Sequence, residues 1–245
     1  MNTLEAATAS GDAINGLGTR FMLDMDTYAY GAELGYEGLD FYVAGRGGAL
    51  GDVPAGVVAA AFVFWNPAQV AGAWERTATK LSRAEVAEEF AGVAHRWAEK
   101  HVPDDVDVER LADLAGRLSD AASPAGAPLF AGWRALDEPA PDRTKALAVH
   151  RMNGLRELRG GLHGAAILSQ GISPHAAVAR RTPYMLDVFG WSEPHPAKDD
   201  VRVPWAQAQD ATDVAMAHAY ETLTEAERKE FADLANAVQA AVATD

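Results

Sequence analysis

The 245-residue chain has no cysteine. Disulfides, thiolate zinc sites, iron–sulfur clusters and thiol nucleophiles are therefore excluded, and a metal would have to use His, Asp or Glu. Basic residues are also few: 21 Lys and Arg face 35 Asp and Glu, giving a formal charge of −14. Such a surface repels a polyphosphate backbone over most of its extent, which disfavours general nucleic-acid binding. No apolar run approaches the roughly 20 residues needed to cross a bilayer, and no charged-then-apolar leader opens the chain. The expectation is a soluble, cytoplasmic protein. The phosphate-cradling Gly-x4-Gly-Lys-Ser/Thr loop is missing, no Gly-x-Gly-x2-Gly follows a strand, and there is no Gly-x-Ser-x-Gly elbow. Without thiols, the nucleophile options shrink to Ser, Thr, Lys or a carboxylate.

Strand-like alternation is scarce and helix-period patterns recur in an Ala-rich chain, so the fold class expected is all-α. Ser82 and Glu85 form a capping box ahead of Val86, Phe90, Val93, Ala94 and Trp97, and Thr224 and Glu227 form another ahead of Phe231, Leu234, Ala235 and Val238. The second predicts a C-terminal helix for core packing or a homodimer contact. A shorter helix is expected from Asp107 to Leu118, with loops at 121–128 and 137–142. A boundary at the second loop divides the chain into an N-terminal lobe, 1–138, and a C-terminal lobe, 139–245. In the latter, Thr144 caps a helix to about Arg159 that breaks or kinks at Gly160-Gly161 and resumes to a stop at Gly171. Ser173-Pro174 then opens another helix. Helix, Gly-Ile-Ser turn, helix is the outline of a helix-turn-helix, and Ala32 to Tyr42 has a similar rhythm, so two tandem lobes of this kind with little or no β wing are expected.

Function is expected where the charge pattern inverts. Residues 143–181 carry seven Lys and Arg against one acid, Glu157, whereas 193–245 carry eleven acids against four bases. In the basic island, Arg156, Arg159 and His163 fall at i, i+3 and i+7, one helical face. Two guanidiniums and an imidazole pointing one way attract a carboxylate or phosphate, since Arg presents a fixed fork of donors. Gly160, Gly161 and Gly164 strip side chains from around His163, either for a ligand or for close helix packing. His150 and Glu157, seven apart, are candidate partners in which the carboxylate orients the imidazole. Arg46, flanked by glycines, offers an anion contact from the N-terminal half, and Phe62, Phe64, Trp65 and Trp191 are candidate walls for a flat ligand.

Two blocks carry a family resemblance. Gly38 to Pro54, with Ala44-Gly45-Arg46 and Leu50-Gly51-Asp52-Val53, followed by Val57-Val58, Phe62 and Asn66-Pro67, is the first. His150 to His163, containing Arg156-Glu157-Leu158-Arg159-Gly160-Gly161-Leu162-His163, with Gly190-Trp191-Ser192 further on, is the second. These blocks resemble a mostly uncharacterised actinobacterial family of helix-turn-helix-like proteins. The resemblance implies winged-helix ancestry, but this chain has Gly161 where the family carries Asp and Leu158 where it carries His. After Trp191-Ser192 the chain runs through Glu193-Pro194-His195-Pro196 into the acidic C-terminal helices, so the family's second wing is shortened or lost, which weakens the phosphate grip that DNA binding needs.

Three functions remain in view. In the first, Arg46, His150, Arg156, Glu157, Arg159 and Trp191 bind an anionic small molecule, with His163 as general acid or base if chemistry follows. In the second, the helix from Ser173 carries Arg180 and Arg181 onto DNA phosphates in a transcriptional regulator. In the third, His150 or His163 ligates haem or another metal. The sequence identifies no cofactor.

Overall fold

The computed structural model describes residues 1–243; Thr244 and Asp245, the latter counted in the acidic C-terminal stretch, lie outside the described residues. Among those described there are twelve α-helices and no strand. They are α1 (Thr3–Leu23), α2 (Met25–Glu33), α3 (Asp40–Gly48), α4 (Ala55–Ala61), α5 (Pro67–Arg76), α6 (Arg83–His101), α7 (Val108–Ala121), α8 (Pro128–Arg134), α9 (Thr144–Ser169), α10 (Pro174–Arg181), α11 (Arg202–Ala217) and α12 (Glu225–Ala241). None is long and apolar enough to cross a membrane.

Local chemistry starts most of these helices. Ser82 and Thr224 form the expected capping boxes of α6 and α12, and Asn2 with Glu5 forms a third at α1. Asp107 caps α7, and Ser173 caps α10 with Pro174 at its first position. Gly171, at φ 72°, ends the preceding helix in the left-handed conformation that glycine adopts without penalty. Thr144 is the first residue of α9 rather than its cap.

The expected break at Gly160-Gly161 does not occur. α9 runs unbroken for 26 residues because α1, α6, α7, α8 and α11 all pack on it. Met152, Leu155, Leu158 and Ile167 are almost fully buried there, each worth roughly 1.5–3 kcal/mol. A helical glycine costs only about 0.5–1 kcal/mol, so burial decides the matter.

The main core gathers residues from Ala6 to Val242, on both sides of position 138. α12 turns Phe231, Ala235 and Val238 inward, and its principal neighbour is α1. A smaller cluster joins Ile167 of α9 to Ala176 and Ala177 of α10 and Ala208 of α11, which fixes the α9–α10 corner. Beyond α10, where a wing would follow, residues 182–201 form a short 3-10 turn and irregular backbone without a strand.

Candidate functional site

α1 lays a stripe of small and polar residues, Gly11, Asp12, Asn15 and Thr19, along a cavity of about 470 Å³. α9, packed beside α1, supplies Arg156, Glu157, Arg159, Gly160 and His163, and α3 adds Arg46. The turn after α4 brings Phe62, Phe64 and Trp65, α10 brings Ala177, Val178 and Arg181, and α11 brings Trp205 and Gln209. Val63 in the α4 turn has φ 37°, a conformation that a β-branched residue adopts only under strain.

The glycines sort into separate roles. A Cβ on Gly11 would lie 2.9 Å from Arg159 Cζ, and one on Gly18 would lie 2.8 Å from Arg156 Cδ, so bare backbone on α1 makes room for the two arginines. On α9, a Cβ at Gly161 would meet Ala127 Cα at 2.8 Å and one at Gly164 would meet Val63 at 2.9 Å; both glycines serve close packing. Gly160 has nothing within 4 Å of that position and opens onto the cavity.

The charges are shared unevenly. Arg46 grips Glu157 with two arms, Nε donating to Oε1 at 2.8 Å and Nη2 to Oε2 at 2.7 Å, while Arg156 Nη1 donates to the same Oε1 at 2.7 Å. Burial works to raise the Glu157 carboxyl, but Arg46 and then Arg156 outweigh it and hold its pKa below the usual carboxylate value. Arg46 also sits 4.5 Å over the Phe62 ring. Arg159 Nη2 lies 2.8 Å from Asp213 Oδ1 of α11, yet that oxygen and the arginine's buried Nη1 make no aligned hydrogen bond among the described residues. Arg181 is the loosest cation, 3.7 Å from an almost fully exposed Asp12. Four lining arginines thus face Glu157, Asp12 and, behind Arg159, Asp213, a surplus of one positive charge.

His163 is fixed and neutral. The Thr212 hydroxyl lies 2.7 Å from the carbonyl of Ala208, which can only accept, so it spends its proton there. His163 Nδ1, 3.0 Å from the same hydroxyl, must then be the donor. Its Nε2 keeps a lone pair, and the ring's one hydrogen bond among the described residues is made through Nδ1. Burial first, then Arg159 and Arg181, push the imidazole pKa down to about 4. The ring lies 5.8 Å from Phe64 and 5.4 Å, edge on, from Trp205. Near neutral pH His163 can accept a proton at Nε2 but has none to give there, so of the two expected roles only that of base remains open.

The structure thus brings together Arg46, Arg156, Glu157, Arg159 and His163, along with Phe62, Phe64 and Trp65. His150 and Trp191 lie elsewhere. His150 is buried beside Trp133, 3.1 Å from His95 Nε2 through its Nδ1. The expected His150–Glu157 partnership does not form, because two helical turns separate the residues and the arginines claim the carboxylate. Trp191 stacks on His175 at 4.8 Å and donates to the Phe64 carbonyl, bracing the cavity wall from behind. His150 and His163 do not converge, and among the described residues no group of three or more His, Asp or Glu is arranged to hold a metal ion. In α10, Ala176 to Ala179 are buried, and Arg180 and Arg181 lie 3.8 Å from Asp199 and 3.7 Å from Asp12 respectively.

Sequence reasoning missed Thr212 and Asp213, which lie in the acidic stretch 193–245, and the α1 stripe. A signal existed for the stripe: Gly11, Asn15 and Thr19 recur every four residues on one helix face and break its apolar pattern.

Residues 7–202 match a helix-turn-helix family. The match stops at the first residue of α11, so Trp205, Thr212 and Asp213 lie beyond it. No curated protein and no solved structure matches the chain.

Proposed function

We propose that this chain, which belongs to a helix-turn-helix family, binds an anionic small molecule in the cavity between α1, α9 and α10. The observation that carries the reading is the gathering of Arg46, Arg156, Arg159 and Arg181 around one hollow in a protein of charge −14. Glu157 consumes part of that charge and keeps two guanidiniums in place; Arg159 and Arg181, beside a neutral His163, are the groups that meet the ligand. A folded-state ligand at a hundred times its Kd would stabilise the protein by about 2.7 kcal/mol.

Family membership favours a second reading, DNA binding through α10. Against it, α10 turns Ala177 and Val178 into the cavity wall, and a reading helix needs an outward face of base-contacting side chains. Thermal shift with a panel of carboxylated and phosphorylated metabolites, run beside a gel shift on duplex DNA at low salt, separates the two. Stabilisation by an anion that disappears in Arg159→Ala, with no DNA retention, is expected. DNA retention that falls steeply with salt, with no metabolite response, would replace this reading by the regulator.

A further inference from the structure

We infer that the ligand of this cavity is a monoanion, a single carboxylate carried on an aromatic body, and not a nucleotide or other polyphosphate. The inference rests on the anion-binding reading and adds the class of molecule. Charge sets the first limit. With Arg46 and Arg156 sharing Glu157, Arg159 facing Asp213 and Arg181 near Asp12, the walls offer a surplus of one positive charge. A triphosphate needs several uncommitted donors or a bound cation, whereas a carboxylate matches one planar guanidinium.

Position sets the second. The surplus charge belongs to Arg46 and Arg156 around Glu157, but the least committed guanidiniums are Arg159, whose Nη1 has no hydrogen-bond partner among the described residues, and the loosely held Arg181, and both are close enough to His163 to act on it. Phe64 and Trp205 flank that imidazole, and Trp65 stacks on Phe189 at 4.5 Å further along the wall. Phe64, Phe189 and Trp205 line the cavity and remain partly exposed, an arrangement that flat apolar rings complete by stacking. An anionic head at Arg159 and Arg181 places the attached body against these faces. A volume of about 470 Å³ accommodates a bicyclic ring with its carboxylate.

Four probes test this: 2-naphthoate, 2-naphthylmethanol, ATP and inorganic phosphate, each followed by thermal shift and by tryptophan fluorescence, since Trp65 and Trp205 line the cavity. We expect 2-naphthoate to stabilise the protein and quench its fluorescence, and the neutral alcohol to bind about ten-fold more weakly or worse for want of the charged contact. ATP and phosphate should leave both signals unmoved. Arg181→Ala, at a largely exposed side chain, should weaken 2-naphthoate about ten-fold without changing the alcohol. Stabilisation by ATP or phosphate but not by 2-naphthoate would overturn the monoanion assignment and leave an anion site standing. Equal binding of acid and alcohol, or no response to any probe, would overturn the assignment and the anion reading together.

Discussion

Arg46 and Glu157 stand 111 residues apart and meet in two parallel hydrogen bonds of 2.8 and 2.7 Å. The pair ties α3 to α9 across one end of the cavity, and Arg156 closes on the same carboxylate from the side. Glu157 is buried, with Arg46 and Arg156 only 11% and 16% exposed, so neutralising the carboxylate leaves two guanidiniums with little water to screen them. Removing one partner of such a buried pair costs roughly 3–5 kcal/mol, far more than a surface ion pair is worth. Glu157→Gln should therefore lower the unfolding free energy by about 3 kcal/mol or more in chemical denaturation. A loss under about 1 kcal/mol would mean that the guanidiniums find other partners.

Adjacent glycines of α9 should respond in opposite directions to the same substitution. Gly160→Ala places its methyl in open space, so the helix gains Ala propensity and stability rises by roughly 0.5–1 kcal/mol. Gly161→Ala drives the methyl to 2.8 Å from the Ala127 backbone, which cannot swing aside as a side chain would, and overpacking of this kind costs roughly 1–3 kcal/mol. Melting temperatures of the two variants, measured side by side, check the claim; a shift in the same direction for both would refute the assignment of one glycine to the cavity and the other to packing.

What the sequence made legible is local. Ser82 with Glu85, Thr224 with Glu227 and Ser173-Pro174 each act within one turn, and each begins its helix where expected. The face shared by Arg156, Arg159 and His163 also lies on one helix, and all three line the cavity. What could not be read depends on partners far away in sequence. Glu157 was matched to His150 on its own helix, while the residue that claims it, Arg46, is on α3. Asp213 looked like one acid among eleven until α11 folded it against Arg159. The glycine pair misled for the same reason: propensity argued for a break, and five packed neighbours kept α9 continuous.

Three histidines, His150 buried and His95 and His163 half-buried, give the protein an acid-sensitive stability. Burial is the first cause in each case, aided by nearby cations: it brings His163 and His150 down to about 4 and His95 down to about 3, against an ordinary value of 6.5. The charged groups acting on them are Arg159, Arg181 and Asp213 around His163, Glu138 and Arg151 around His150, and Arg143 and Arg96 around His95, where His150 also opposes protonation. Because the folded pKa lies below the unfolded one, the unfolded chain binds more protons between these values. Stability is then flat with respect to these groups above about pH 6.5 and falls as the pH drops from 6.5 towards 4, with up to three protons taken up on unfolding. Carboxylates such as Glu157, whose pKa is held low, add their own loss only at more acid pH. Urea denaturation at intervals between pH 7 and about pH 4.5 measures the slope directly, and His163→Gln should reduce the proton uptake by about one while leaving that of the His95–His150 pair. An unfolding free energy that stays constant from pH 6.5 to about pH 5 would mean that these imidazoles are hydrated and ordinary, and that His163 does not present a permanently neutral Nε2 to the cavity.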